Sequence, residues 1–301
     1  MRYSTLRSTS CSLEEVSKPR GLAHFAESSE QNVPGTIRPG MVPFSEAVLK
    51  LLLAFCVCFL AHCNQAFAEG FRIETKIFVG DEEKPASETT TLFLDGVVYD
   101  FLKEPAQTAV FRKPTGGRPG RFILLNDQHR IRTEFSTEQL TRAMDKVRTW
   151  AGRQTDPFLK FAADPEFEES FEPESGQLVL ASHLENYAVA TTPVEHADAA
   201  AEYREFLDWY AQLNTLLTGG PPPEPRLRLN EALARHKVVP LTVELTRAGE
   251  KEPLRAEHDF TWRLSQGDMK KTDNVRASLA SYRPVSNEEF LRSTHSANDA
   301  R

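Results

Sequence analysis

An α+β fold, with an antiparallel, curved, incompletely closed β-sheet of about nine to eleven strands covered by a few amphipathic helices, follows from three features of this sequence. Downstream of Phe71, six short segments with strand-like alternation follow one another, separated by Gly, Pro, Asn and Asp. One of the separators, Asp95-Gly96, is the two-residue signal of a tight hairpin. Stretches of helical period come only after this run, at Leu140 to Ala151 and Tyr203 to Leu217. Strands in succession followed by helices point to an antiparallel meander rather than to repeated βαβ units.

The elements can be taken in order. Phe71, Ile73, Thr75, Ile77 and Val79 alternate with Arg72, Glu74 and Lys76, the period of a half-buried strand, and Gly80 to Lys84 turns the chain. Glu88 to Leu94 is rich in β-branched residues, and Val97 to Lys103 returns across Asp95-Gly96. Gln107 to Lys113 and Arg121 to Leu125 are joined by the Gly-rich loop Pro114 to Gly120, and His129 to Phe135 completes the six. Ser136 with Gln139 forms a capping box ahead of the stripe Leu140, Met144, Val147, Ala151, which Gly152 ends. A helical turn is expected at Phe158 to Phe161, then strands at Phe167 to Phe171, Gln177 to Ser182 and Asn186 to Thr191. Thr192 as N-cap, Pro193 at the first helical position and Glu195 three residues past the cap predict that a long helix starts there. Its stripe, Tyr203, Phe206, Leu207, Tyr210, Leu213 and Leu217, is stopped by Gly219 to Pro223. A second helix spans about Arg226 to His236, a hairpin follows from Leu241 to Thr246 and Leu254 to Leu264, and helical turns are expected at Asn274 to Ser281 and after Ser286, whose capping-box partner is Glu289.

Upstream lies a different kind of segment. The apolar run Leu51 to Ala61 would span about 16 Å as a helix, against about 30 Å for a bilayer core, and is followed by polar His62, Asn64 and Gln65 and by Ala66-Phe67-Ala68. That order is the signature of an export signal cut between Ala68 and Glu69, with Ala66 and Ala68 as the small residues that fit the peptidase cleft. Two other readings are an uncleaved anchor from Val48 to Phe67 and lipid attachment at Cys63, where bulky His62 departs from the small residue a lipobox carries. The expected organisation is therefore 1–47 as a disordered extension, or absent if translation starts at Met41, 48–68 as signal, 69–292 as one domain and 293–301 as a disordered tail.

Composition removes several chemistries. All four cysteines, Cys11, Cys56, Cys58 and Cys63, precede the expected cut, so a mature chain has no thiol catalysis, thiolate metal site or disulfide. The net charge of −7 argues against nucleic acid, whose phosphates demand a concentrated basic surface.

The order of strands and helices from Phe71 to about Leu264 resembles the lipoprotein-carrier fold of the bacterial envelope, an incomplete barrel wrapped around helices with an apolar hollow. It departs from that family at its start, where an amphipathic helix usually precedes the first strand. ThrLeuPheLeuAspGlyValValTyrAspPheLeu (91–102) is similar to segments of uncharacterised exported proteins of planctomycete-type bacteria, a likeness that implies export and no particular activity.

The candidate sites each have a structural explanation. His258 and Asp259 are neighbours on a strand and so point to opposite faces, leaving His258 beside Phe260 and Trp262 at the edge of a core. His129 is placed the same way beside Ile131 and Phe135, and Glu195-His196 falls in the first turn of the long helix. His183, His236 and His295 lack the spacing of a zinc site. Pro114 to Gly120 has no Lys-Ser/Thr and no following helix to cradle phosphate, and the acidic stretch Asp164 to Glu174 does not have EF-hand spacing for calcium. No catalytic residue, metal ligand or cofactor is assigned. The expected function is non-catalytic binding of an apolar ligand or an envelope protein by a protein exported to the periplasm or cell envelope, touching a membrane only through the signal segment if that is uncleaved. The alternatives are an exported hydrolase, which requires Asp, Glu, Ser or His gathered from separate strands, and a structural or assembly component.

Overall fold

The computed structural model describes residues 70–104 and 106–298, with side chains as far as Ser293. Cys63, Ala66, Ala68, Glu69 and the apolar run before them lie outside the described residues. Among the described residues, no helix is long and apolar enough to cross a membrane.

One twelve-stranded sheet organises the fold. Strands β1 (Phe71–Val79), β2 (Ser87–Leu94), β3 (Val97–Leu102), β4 (Gln107–Arg112), β5 (Arg121–Asn126) and β6 (Ile131–Ser136) lie side by side in chain order, the expected meander. Asp95 and Gly96 have φ of 54° and 70°, the mirror-image turn that matches the twist of a hairpin. Beyond β6, helices α1 (Thr137–Gly152) and α2 (Pro157–Ala163) lead to β7 (Glu168–Glu172), β8 (Gln177–Ala181) and β9 (Glu185–Pro193). Helices α3 (Ala197–Thr218) and α4 (Glu224–His236) form a hairpin, followed by β10 (Val238–Arg247), β11 (Leu254–Thr261), α5 (Gln266–Ser281), the two-residue β12 (Arg283–Pro284) and α6 (Asn287–Asn298). Across the sheet the order is β12-β6-β5-β4-β3-β2-β1-β11-β10-β9-β8-β7, curved and unclosed, antiparallel throughout except where β12 runs parallel to β6. Among the described residues, the sheet and six helices make an α+β fold.

The two faces of the sheet are buried differently. Phe93, Val98, Phe111, Phe122, Leu124 and Phe135 face Tyr203, Phe206 and Leu213 of α3 and Leu140 of α1. The intervening residues Leu92, Leu94, Tyr99, Val110, Ile123 and Leu125 face Val275 of α5. This double burial explains why β5 reads PheIleLeuLeu instead of alternating. A third cluster packs Leu229, Ala232 and Leu233 of α4 against Leu178, Leu180, Tyr187 and Val189. Helices α3 and α4 thus cover neighbouring stretches of one curved sheet.

Several local expectations need correction. Thr192 and Pro193 do not begin α3 but end β9, where Pro193 stands opposite Val238 and Thr192 opposite Val239. Ladder pairing outweighs the local capping pattern, and Pro at the last ladder position forfeits little because it has no N–H to give. The helix starts at Ala197 after His196, which supplies no side-chain cap. His129 sits in the exposed turn before β6, its amide donating to Asn126 Oδ1 at 3.1 Å, rather than on the buried face of the strand. Helix α5 begins eight residues earlier than its apolar signal, with a capping box between Ser265 and Asp268. Helix α6 starts after Ser286 as expected, Ser286 Oγ accepting from the Glu289 amide at 3.2 Å, and continues to Asn298, into the stretch that reads as tail.

Candidate functional site

The α3–α4 hairpin and the first residues of β10 border an apolar space. Gly219, with φ 64°, ends α3, the Pro-rich link reverses the chain, and α4 returns beside it. The face of α3 bearing Phe206 and Leu213 is packed into the sheet. Between the flank of α3, α4 and β10 remains a cavity of about 720 Å³ with a predominantly apolar lining, which includes Val194, Ala200, Leu207, Trp209, Leu233 and Val239. That volume falls in the range of small-molecule sites, about 300 to 1,000 Å³.

A few polar groups punctuate this lining. Asp208 on α3 accepts a hydrogen bond from Asn230 Nδ2 on α4 at 2.8 Å and faces Arg204 Nε at 3.6 Å. Burial raises its pKa above the ordinary carboxylate value, opposed by the Asn230 hydrogen bond and the charges of Arg204 and Arg226. Asn230 is 2% exposed and Tyr203 5%, and both line the cavity. The Asn230 Oδ1 and the Tyr203 hydroxyl are shielded and have no hydrogen-bond partner among the described residues. Burial pushes the Tyr203 phenol up to about 12, against the opposing charge of Arg226. At the end of α4, Lys237 lines the same cavity in the left-handed region, φ 57°, and its carbonyl accepts from the Val194 amide at 3.1 Å.

The histidines take other positions. His258 lies opposite Thr75 on β1, with Nδ1 3.0 Å from Thr75 Oγ1 and Nε2 without a partner among the described residues. Burial and then the charge of Arg226 depress its pKa to about 3, which makes the ring a feeble base for activating the Thr75 hydroxyl. His196 packs its ring 5.0 Å from Trp262. His236 stacks on Phe171 and meets Glu169 Oε1 at 2.7 Å, with Arg235 on the same carboxylate at 2.7 Å. Burial would raise the Glu169 pKa, but the hydrogen bonds from His236 and Arg235 outweigh it and hold the group below its ordinary value. Glu169 and His236 stand 67 positions apart, so no local spacing could have paired them. Pro114 to Gly120 is a hairpin loop closed by a Thr115–Arg118 bridge, and Glu168 to Glu172 of the acidic stretch is the edge strand β7. Among the described residues, no three His, Cys, Asp or Glu side chains are grouped to hold a metal. No family model and no curated protein sequence matches this chain.

Proposed function

We propose that this protein is an exported, non-catalytic binding protein that takes the apolar part of a small ligand into the hollow between α3, α4 and β10. The observation that carries the reading is the volume and lining of that hollow, about 720 Å³ and mostly apolar. Each methylene removed from water there contributes about 0.8 kcal/mol, so a chain of about 15 methylenes reaches micromolar affinity after an immobilisation cost of about 4 kcal/mol. Export is supported by the stretch Leu51 to Ala68, with release after Ala68 as the expected processing and an uncleaved anchor from Val48 to Phe67 or lipid attachment at Cys63 as the other routes to the envelope.

The test uses N-phenyl-1-naphthylamine, an uncharged probe that fluoresces in apolar surroundings. Saturable binding by the wild type is expected, with affinity falling at least about tenfold in Ala201→Trp and Ala234→Trp, where a bulky ring is introduced at the cavity wall from an exposed position. Absence of saturable binding, or unchanged affinity in both variants while their thermal unfolding matches the wild type, would reject the proposal. N-terminal sequencing of the secreted product tests the cut before Glu69.

A further inference from the structure

A second hollow, of about 750 Å³, lies between α1, α2, α3 and α4, and it shares Arg204, Asp208 and Gln212 with the apolar one. The two hollows therefore adjoin across one row of α3 side chains. Their linings contrast sharply. The second is walled by charged groups, with cations Arg148, Arg204 and Arg228. Its acids are Asp164, Asp208, Glu224 and Glu231.

Across the hollow these charges pair loosely, although Arg148 is also held by Asp145 at 2.8 Å and Asp208 accepts from Asn230 at 2.8 Å. Arg148 stands 3.8 Å from Glu224, Arg204 3.6 Å from Asp208 and Arg228 3.3 Å from Glu231. A saturated guanidinium–carboxylate pair closes to about 2.7 to 2.9 Å, so Arg204, Arg228, Glu224 and Glu231, whose ion pairs are all longer, keep capacity for a third party. Three cations against four acids leave no net positive field to draw a phosphate or carboxylate head, and a quaternary ammonium, which the one excess acid would tolerate, neither gives nor accepts a hydrogen bond and leaves these groups unmatched. Donors and acceptors side by side instead suit hydroxyl groups, each of which gives one hydrogen bond and accepts two.

We infer that the joined hollows form one amphipathic site for an uncharged, hydroxyl-rich amphiphile, its apolar chain between α3, α4 and β10 and its sugar-like head among Arg148, Arg228, Glu224 and Glu231. This rests on the proposed function and adds the class of head group. Glu224 supports the head's anchoring because its half-buried carboxyl keeps Oε2 shielded and without a hydrogen-bond partner among the described residues, an acceptor left for a hydroxyl donor.

The experiment displaces N-phenyl-1-naphthylamine from the full-length protein with chain-matched amphiphiles below their micellar concentrations: dodecyl maltoside, dodecanoate, dodecylphosphocholine and dodecyltrimethylammonium. Dodecyl maltoside is expected to displace the probe at a concentration at least about tenfold lower than the other three. Arg228→Gln and Glu231→Gln, both at the charged wall, are expected to remove that advantage while leaving probe affinity unchanged. Equal displacement by all four overturns the head-group assignment and leaves the apolar site standing, as does preference for the anionic, zwitterionic or cationic chain. Failure of the wild type to bind the probe overturns both readings.

Discussion

Thr91 on β2 and Asp100 on β3 stand directly opposite each other, and the Thr91 hydroxyl donates a 2.7 Å hydrogen bond to Asp100 Oδ1 inside the sheet–helix core. Burial pushes the Asp100 carboxyl from 3.8 up to about 6, despite the lowering influence of the hydrogen bonds from Thr91 and from Tyr210 of α3. An acid whose folded pKa exceeds its unfolded one favours the protonated fold. Its contribution is complete below about pH 4 and is lost as pH rises through 6. The wild type should therefore lose roughly 2 to 3 kcal/mol relative to Asp100→Asn between pH 4 and pH 8. Urea unfolding of both proteins across that interval measures the difference; parallel curves would mean that the carboxyl is not desolvated.

His258 acts with the opposite sign. Its folded pKa, about 3, lies below the unfolded 6.5, so the stability of its neutral form is present above pH 6.5 and is lost as pH falls toward 3. His258→Gln, which retains a group able to meet Thr75 Oγ1, should flatten the acid limb of the unfolding free energy. A titration of the ring followed by NMR that showed a midpoint near 6.5 in the native protein would refute the burial argument.

How far local sequence carries depends on where the deciding interaction lies. The meander β1 to β6 was legible because alternation and turn residues act between neighbours, and so was the Ser136–Gln139 box, with the Gln139 amide donating to Ser136 Oγ at 3.1 Å and Gln139 Oε1 accepting from the Ser136 amide at 2.8 Å. Thr192-Pro193 misled because the opposing evidence, Val238 and Val239 as ladder partners, sits more than forty positions away. The docking of β11 against β1 is likewise invisible locally, since Thr75 and His258 are 183 positions apart. The candidate cavity is hidden for a different reason. Leu207, Trp209 and Leu233 obey the same helical period as the packed core, and a stripe that faces a hollow cannot be told from one that faces a sheet.

Glu185 and Arg247 close the β9–β10 ladder as direct partners, with Arg247 Nε donating to Glu185 Oε2 at 2.6 Å. Glu185 is 0% exposed, so deletion of the guanidinium strands a buried carboxylate. Arg247→Ala should destabilise the protein by about 3 to 5 kcal/mol, whereas Glu185→Leu combined with Arg247→Met should recover most of that loss, because the desolvation of both charges disappears with them. Denaturant midpoints of the three proteins decide the matter. A double variant no more stable than Arg247→Ala would show that other contacts of these two residues dominate.

Lys237 occupies a backbone conformation that favours glycine, with φ 57° and ψ 46° at the end of α4. Left-handed backbone costs a residue with a Cβ about 1 to 2 kcal/mol, and glycine returns about 0.4 to 1 kcal/mol of that gain through the greater freedom of the unfolded chain. The side chain is exposed and makes no ion pair among the described residues, so its removal forfeits little in the folded state. Its carbonyl bond from Val194 belongs to the backbone and survives the change. Lys237→Gly should consequently raise unfolding stability by about 0.5 to 1 kcal/mol, seen as an upward shift in Tm. Because Lys237 also lines the apolar hollow, probe binding supplies a second readout. A more stable variant with weakened binding would place the strain at the site's mouth in the service of the ligand, and a less stable one would show that the lysine side chain holds the α4–β10 corner itself.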